Sequence, residues 1–185
     1  MSQSRIPTPA SIADTPAASR PLLEGVKKQL GVVPNLFRLI GTSPAALQAY
    51  LGMNGALSQG SLDARTRERI ALAVAEINGC SYCLSAHTYL GKTLAKLSNE
   101  EIQANRNGGS TDPKADAAVR FAAELTRARG HVDDDAIAVI RQAGYTDAEI
   151  LEVIVHVALN TLTNYVNEAL NTEIDFPVVS LRAAA

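Results

Sequence analysis

Signals that start and stop α-helices divide almost the whole chain into segments of helical length, and this feature most restricts its fold. Ser43-Pro44 and Asp112-Pro113 each combine an N-cap residue with proline at the first helical position, and Thr146 with Glu149 forms a capping box. Ser98 with Glu101 forms a second capping box. Together with similar signals, these residues predict helices over about 22–31, 35–40, 43–60, 63–78, 98–108, 112–130, 133–144 and 146–171, and a further helix that begins at residue 80.

The apolar residues of these segments recur at helical spacing. Ile70, Val74 and Ile77 form one such stripe, and no segment alternates apolar and polar residues over five or more positions. A chain of 185 residues suits one domain. We therefore predict an all-α, single-domain helical bundle over residues 22–185.

Residues 1–21 contain half of the eight prolines and predict an extended N-terminal arm without helix. The first ten residues lack the apolar run of a secretory signal, and no stretch approaches the 18 apolar residues of a membrane-spanning helix. The expectation from these two observations is a cytoplasmic protein with no membrane association.

The charge balance argues against a nucleic-acid partner. The chain has 17 basic and 19 acidic residues, a formal net charge of −2. It has no Trp, five Tyr and three Phe, so a base-stacking surface is not expected.

The two cysteines, Cys80 and Cys83, are the residues that indicate chemistry. A single pair at this spacing cannot be the disulfide framework of a small secreted domain. At 100° per residue, Cys80, Cys83 and His87 lie within about 60° of one another on one helix face. A helix N-terminus lowers a thiol pKa, a neighbouring His accepts the thiol proton, and a second Cys resolves an oxidised sulfur. The pattern therefore favours redox thiol chemistry.

Two acids on the preceding helix, Glu68 and Glu76, are candidates to orient His87 or to move protons. Sequence spacing favours neither of them. A zinc site made of two thiolates, one imidazole and a carboxylate is an alternative use of the same residues, although structural zinc sites usually draw ligands from two separated segments.

The order Glu68, Cys80-x-x-Cys83, His87 resembles the active-site signature of the alkylhydroperoxidase-D-like branch of the carboxymuconolactone decarboxylase superfamily. The flanking segments 32–57 and 157–177 resemble a peroxidase-related subgroup of it. The resemblance thus covers most of the chain, from about residue 32 to 177.

This resemblance implies roles for each residue of the signature. Cys83 would attack the hydroperoxide, Cys80 would resolve the sulfenic acid as a disulfide, His87 would activate the thiol, and Glu68 would belong to the proton relay. Tyr82 departs from the family pattern, in which a relay His often precedes the second cysteine; a Tyr is a poor proton acceptor at neutral pH. Glu76, Tyr82 and His156 are further candidates beside this set.

The resemblance also implies the partners of the reaction. We expect a thiol-dependent peroxidase that reduces organic hydroperoxides or hydrogen peroxide, without metal, haem, flavin or other cofactor. Its disulfide would be reduced by a dithiol protein, either lipoylated or thioredoxin-like, and the family implies a homotrimer or homohexamer. Three alternatives stay open: a thiol–disulfide oxidoreductase or redox sensor, a zinc-stabilised scaffold, and a cysteine-independent enzyme acting on a carbon acid.

His156 belongs to a polar stripe on the last predicted helix, with Glu152, Asn160 and Asn164 at intervals of four. The stripe either makes a hydrogen-bonded helix or subunit contact, or it faces the thiols and lines the substrate site. The alternating Arg65, Arg67 and Arg69 do not share a helix face and are expected to be solvated.

Overall fold

The computed structural model describes residues 4–182, which form nine helices joined by short loops. The helices are α1 (Arg20–Leu30), α2 (Asn35–Ile40), α3 (Pro44–Ser58), α4 (Ala64–Ile77), α5 (Ser81–Thr93), α6 (Asn99–Arg106), α7 (Pro113–Arg127), α8 (Asp134–Gln142) and α9 (Asp147–Leu170). Residues 4–182 contain no strand, so the predicted all-α fold is confirmed. No helix in this range is long and apolar enough to cross a membrane.

The segment before α1 is not the helix-free arm that its prolines predict. It holds two 3₁₀ turns, Ile12–Asp14 and Ala17–Ser19, and α1 already begins at Arg20. Pro21 fits in the first turn of α1 because the missing N–H there has no helical partner to lose. Arg5 N–H donates to the Leu170 carbonyl at 2.8 Å, so the segment packs on the body. Residues 1–3 and 183–185 of the two predicted units lie outside the described range.

Helix α4 is the centre of the bundle and packs against α5, α6, α7 and α9. Asp63 starts it by accepting a hydrogen bond from the Thr66 amide at 2.7 Å. All six residues from 70 to 75 are buried, so α4 is enclosed on every side. Residues of α4 belong to two apolar clusters. One cluster includes residues of α5 and contains both cysteines, and the other includes residues of α7 and α9.

A tight turn between α4 and α5 fixes the position of the cysteines. Gly79 has φ 69°, a left-handed conformation that glycine adopts without a Cβ clash. The turn brings the Cys80 amide to the Ala75 carbonyl at 2.9 Å and makes Cys80 the N-cap of α5. Both thiols are thereby held at the beginning of α5.

A buried ion pair between Arg69 and Glu101 contradicts two predictions from the sequence, the Ser98–Glu101 capping box and a solvated Arg69. The Ser98 hydroxyl caps α6 as predicted, but the Glu101 side chain does not complete a capping box. Its carboxylate instead accepts a hydrogen bond from Arg69 Nε at 2.7 Å, and both side chains are buried. Arg69 is therefore not solvated, because its face of α4 packs against α6, which carries Glu101. The same carboxylate accepts hydrogen bonds from Asn105, Ser110 and Thr111.

The segment 171–182, called the strap below, runs from the end of α9 across α5 without regular structure. Asp175 accepts hydrogen bonds from the Asn35 amide (2.8 Å) and from the Tyr82 hydroxyl (2.8 Å). Phe176 packs edge-on against Tyr82, with ring centroids 5.8 Å apart, and the Val179 amide donates to Ser85 Oγ at 3.0 Å. The strap thus joins α2 and α5.

Candidate functional site

The two thiols occupy different environments at the start of α5. Both are free and buried, with Cys80 0% and Cys83 2% exposed. Cys80 Sγ accepts the amide N–H of Cys83 at 3.3 Å. Cys83 Sγ accepts a hydrogen bond from Asn167 Nδ2 of α9 at 3.2 Å and lies 4.0 Å from Thr163 Oγ1. Cys83 is therefore the sulfur that α9 surrounds with polar groups.

These contacts separate the acidities of the two thiols. The pKa of Cys83 is lowered to about 6, first by its hydrogen bond with Cys80 and then, against the opposing effect of burial, by His87 and by the amides of Asn167 and Asn164. The pKa of Cys80 is raised, first by its hydrogen bond to Cys83 and then by burial. At neutral pH the pair therefore holds one thiolate, on Cys83, and one thiol, on Cys80.

His87 stands one turn after Cys83 and is oriented by Glu68. His87 Nδ1 lies 2.8 Å from Glu68 Oε2, and both side chains are partly buried. Burial alone would lower the pKa of His87, but the charge and hydrogen bond of Glu68 raise it, with a further contribution from Cys83. With Nδ1 directed at Glu68, the other ring nitrogen, Nε2, remains for proton transfer.

The structure separates the two acids that sequence spacing could not separate. Glu76 lies two turns further along α4, where it accepts a hydrogen bond from Arg106 Nε at 2.6 Å and one from the Arg182 amide at 2.8 Å. Only Glu68 of the two contacts His87. The reason is helix geometry: eight residues separate the two positions by about 12 Å along the axis and by about 80° around it.

A cavity of about 120 Å³ opens to solvent beside these groups and is lined by Cys83, His87 and Glu68. Cys80 does not line it and lies behind Cys83. A small molecule in this cavity therefore meets the Cys83 sulfur and the imidazole together. Within residues 4–182, no three His, Cys, Asp or Glu side chains are placed to hold a metal ion.

Tyr50 and Arg67 also line the cavity, and sequence reasoning did not find them. Tyr50 comes from α3 and packs against Phe37 at a ring-centroid distance of 5.5 Å. Burial raises its pKa, with smaller contributions from Cys83 and Glu68. No sequence signal marks Tyr50, since α3 is apolar over most of its length.

Arg67 was expected to be solvated, but it is partly buried because the wall of the cavity includes this turn of α4.

Tyr82 also lines the cavity, but its hydroxyl group is engaged elsewhere. It donates to Asp175 of the strap and accepts the Leu36 amide N–H at 3.2 Å. Burial is the largest reason why the pKa of Tyr82 is raised. Tyr82 thus links the strap to α5.

The residues of the polar stripe on α9 make both predicted kinds of contact: some bond to neighbouring segments and others line the cavity. Glu152 makes a helix–loop contact by accepting the amides of Ser61 and Leu62. Asn164 Oδ1 accepts a hydrogen bond from Asn78 Nδ2 at 2.9 Å. His156 and Asn160 line the cavity with Cys83. Helix spacing placed these residues on one side of α9 but could not show which neighbour each one meets.

We expect the ionisation of Cys83 to depend on the Asn167 amide. In the native protein, the ultraviolet absorbance of the thiolate should appear with a midpoint near the pKa of about 6. In Asn167→Leu the midpoint should rise by about one to two units, because a charge-assisted hydrogen bond contributes roughly 1.5–3 kcal/mol. Asn99→Leu, at an exposed position on α6, is the control and should keep the native midpoint. An unchanged midpoint in Asn167→Leu would contradict the role given to the amide.

Comparison with known proteins identifies a matching family and several solved structures with a similar fold. The profile of the carboxymuconolactone decarboxylase family matches residues 44–128. An uncharacterised protein of Haemophilus influenzae is 44% identical over 63 residues, which are 34% of this chain. The match spans half the length of that curated relative.

Solved structures resemble almost the whole chain. A peroxidase-related protein of Ralstonia eutropha, described as an alkylhydroperoxidase AhpD core, has a TM-score of 0.82 and 26% identity, covering 93% of this chain and 92% of its own. A peroxidase-related protein of Silicibacter has a TM-score of 0.79 and 26% identity over 92% and 91%. The debrominase Bmp8, in complex with 2,3,4-tribromopyrrole, has a TM-score of 0.78 at 20% identity over 94% of both chains, which indicates a shared fold alone.

Proposed function

Because the chain belongs to the alkylhydroperoxidase-D-like branch of the carboxymuconolactone decarboxylase superfamily, we propose that it is a peroxidase using a two-cysteine cycle. Its substrates are organic hydroperoxides or hydrogen peroxide. Cys83 carries the proposal: it lines the cavity, and hydrogen bonds together with His87 lower its pKa to about 6. A thiolate beside an imidazole in an accessible cavity is the arrangement that nucleophilic thiol chemistry requires.

In the first step, the Cys83 thiolate attacks the terminal oxygen of the hydroperoxide. The S–O bond forms while the O–O bond breaks, and the alkoxide leaves as an alcohol with a proton from His87. Glu68 supports this transfer because it holds Nδ1 and keeps the pKa of His87 raised. Cys83 is then a sulfenic acid and the hydroperoxide has been reduced by two electrons.

In the second step, Cys80 attacks the sulfur of the sulfenic acid. The S–S bond forms, and the thiol proton of Cys80 leaves with the hydroxyl group as water. The raised pKa of Cys80 fits this role, since its thiol keeps its proton until the sulfenic acid has formed. A dithiol protein, lipoylated or thioredoxin-like, then reduces the disulfide and becomes oxidised itself.

The proposal includes a homotrimer or homohexamer in the cytoplasm. Its support is a row of exposed apolar side chains on α9, of which Leu151 and Tyr165 are 62% and 65% exposed. Contiguous apolar surface of this kind is typical of subunit contacts. Size-exclusion chromatography with light scattering tests the assembly, and a monomer at micromolar concentration would refute it.

The activity is tested by stopped-flow measurement of free thiol after hydrogen peroxide or tert-butyl hydroperoxide is added to reduced protein. We expect rapid loss of two thiols per chain and a mass decrease of two hydrogens, which identifies an intramolecular disulfide. Thiol loss no faster than that of a free thiol would refute the peroxidase. Rapid oxidation by a disulfide-containing protein under the same conditions would then favour the thiol–disulfide oxidoreductase.

Glu68→Gln should lower the rate constant of thiol loss at pH 7 by roughly 100-fold, because the imidazole loses the charge that keeps it protonated. We expect a decrease in rate because Glu68 raises the pKa of His87. Without Glu68 this pKa falls, so the imidazole loses its proton at a lower pH. Glu76→Gln is the matched control, since Glu76 binds Arg106 instead. Its rate should stay within about threefold of the native value. Equal losses in both variants would contradict the assignment of Glu68.

A further inference from the structure

The wall of the cavity contains two polar groups that the two-cysteine cycle does not use. Arg67 on α4 and His156 on α9 line the same cavity as Cys83. They lie close enough for the Arg67 charge to act on the His156 ring. Neither residue contacts Cys80, Cys83 or the Glu68–His87 pair through a hydrogen bond in the described part of the chain.

His156 has unused hydrogen-bonding capacity. Its side chain is only 4% exposed, and its buried Nε2 has no hydrogen-bond partner among the described residues. A buried polar atom without a partner costs free energy, so such atoms in native proteins often face a ligand or a water molecule. Burial and then the Arg67 charge lower the pKa of His156 to about 4, against the opposing charges of Glu152 and Glu68, which are held by Leu62 and His87. The ring is therefore neutral at pH 7 and carries one N–H to donate.

Arg67 has unused charge. Its Nη1 donates to the Leu62 carbonyl at 2.7 Å, which anchors the guanidinium at the cavity. None of the ion pairs formed within residues 4–182 includes Arg67. The acid beside it in the sequence, Glu68, is committed to His87. An arginine fixed at a cavity without a carboxylate partner is suited to bind an anion from solution.

We propose that Arg67 and His156 form an anion subsite that binds the carboxylate of the substrate, so that the preferred substrates are small hydroperoxides bearing a carboxylate. The inference rests on the proposed peroxidase activity and names its substrate class. The cavity of about 120 Å³ is below the size of sites for drug-sized ligands, which restricts the substrate to a few carbon atoms. Carboxylate binding at this subsite would leave the hydroperoxide group of the same molecule for Cys83.

The test compares two hydroperoxides that differ in one group: tert-butyl hydroperoxide and 3-hydroperoxy-3-methylbutanoate, which adds a carboxylate to one methyl group. At low concentration, the carboxylated compound should oxidise the native protein roughly 10- to 100-fold faster, as expected for one charge-assisted contact. In Arg67→Gln this preference should fall to near unity, because the carboxylated compound loses its cationic partner. In His156→Gln the preference should fall several-fold.

Arg65→Gln is the matched control, since Arg65 is exposed on the same helix and the net charge changes equally. It should keep the native preference. Equal rates for both hydroperoxides in the native protein, or an unchanged preference in Arg67→Gln, would overturn the subsite.

A second measurement separates the subsite from the peroxidase activity. The probe 3-methylbutanoate has the carboxylate but no peroxide, and it should slow the alkylation of Cys83 by iodoacetamide in the native protein but not in Arg67→Gln. If tert-butyl hydroperoxide fails to oxidise the thiols, the proposed function is wrong, and this protection still measures the subsite. If oxidation proceeds but 3-methylbutanoate gives no protection at millimolar concentration, the subsite is wrong and the function stands.

Discussion

Cys83→Ser should lower the rate constant of hydroperoxide reduction by roughly 10³-fold or more, the largest effect that we expect from any single change. A serine hydroxyl is not ionised at neutral pH and cannot replace the thiolate, and loss of a covalent nucleophile commonly costs this much. The remaining thiol, Cys80, does not substitute because it is fully buried, does not line the cavity and has a raised pKa. Stopped-flow kinetics of peroxide consumption measure the effect.

Cys80→Ser is the matched control and should behave differently. It keeps Cys83 in the cavity, so one thiol should still be oxidised, and the product should be a sulfenic acid that a dimedone-type reagent traps. An equal yield of the trapped sulfenic acid in the native protein would show that Cys80 does not resolve it. Undiminished turnover of any substrate by Cys83→Ser would instead favour the cysteine-independent enzyme.

Arg69→Ala should reduce the free energy of unfolding by about 3–5 kcal/mol, because it leaves the Glu101 carboxylate buried without its cation. In a protein of this length the melting temperature should fall by roughly 10 °C. Urea unfolding followed by circular dichroism measures the change. Arg141→Ala is the control: its ion pair with Asp147 is exposed, and its loss should cost no more than about 1 kcal/mol. Similar losses in the two variants would contradict the role of the buried pair.

The Glu101 carboxylate also makes stability depend on pH. Burial opposes ionisation of Glu101, but hydrogen bonds from Ser110, Thr111 and Asn105 outweigh it and lower the pKa to about 2. Because the folded-state pKa is below the unfolded value of about 4.3, this contribution is present above that value and is lost as the pH falls toward 2. Glu101→Gln should be less stable at pH 7 and should lose less stability over this acid range than the native protein.

The sequence predicted the elements of the fold well because capping residues act locally. The Thr146–Glu149 box forms as expected, and the Asp63 and Asp112 caps begin α4 and α7. Errors occurred where packing between distant segments overrides local signals. Glu101 turns inward to Arg69, 32 residues away, and no feature near either residue indicates this. The 3₁₀ turns before α1 were missed because prolines exclude long helices but not single turns.

Part of the candidate site could be predicted from one helix face and part could not. Helical geometry puts Cys83 and His87 one turn apart, and the cavity contains both. The partners from other helices, Asn167 and Tyr50, depend on how α9 and α3 pack against α5. Helical periodicity and capping signals do not specify such contacts between helices.

The strap has a consequence for the order in which the chain folds. Its Asp175 meets Asn35 across 140 positions and Tyr82 across 93, so these contacts require the closure of long loops. Local helices form on much shorter times than such long-range contacts, and the strap therefore docks late. Until it docks, the cysteine-bearing helix lacks its cover. Tyr82 and Ser85, on either side of Cys83 in α5, therefore gain their partners in the strap only after the helices have packed.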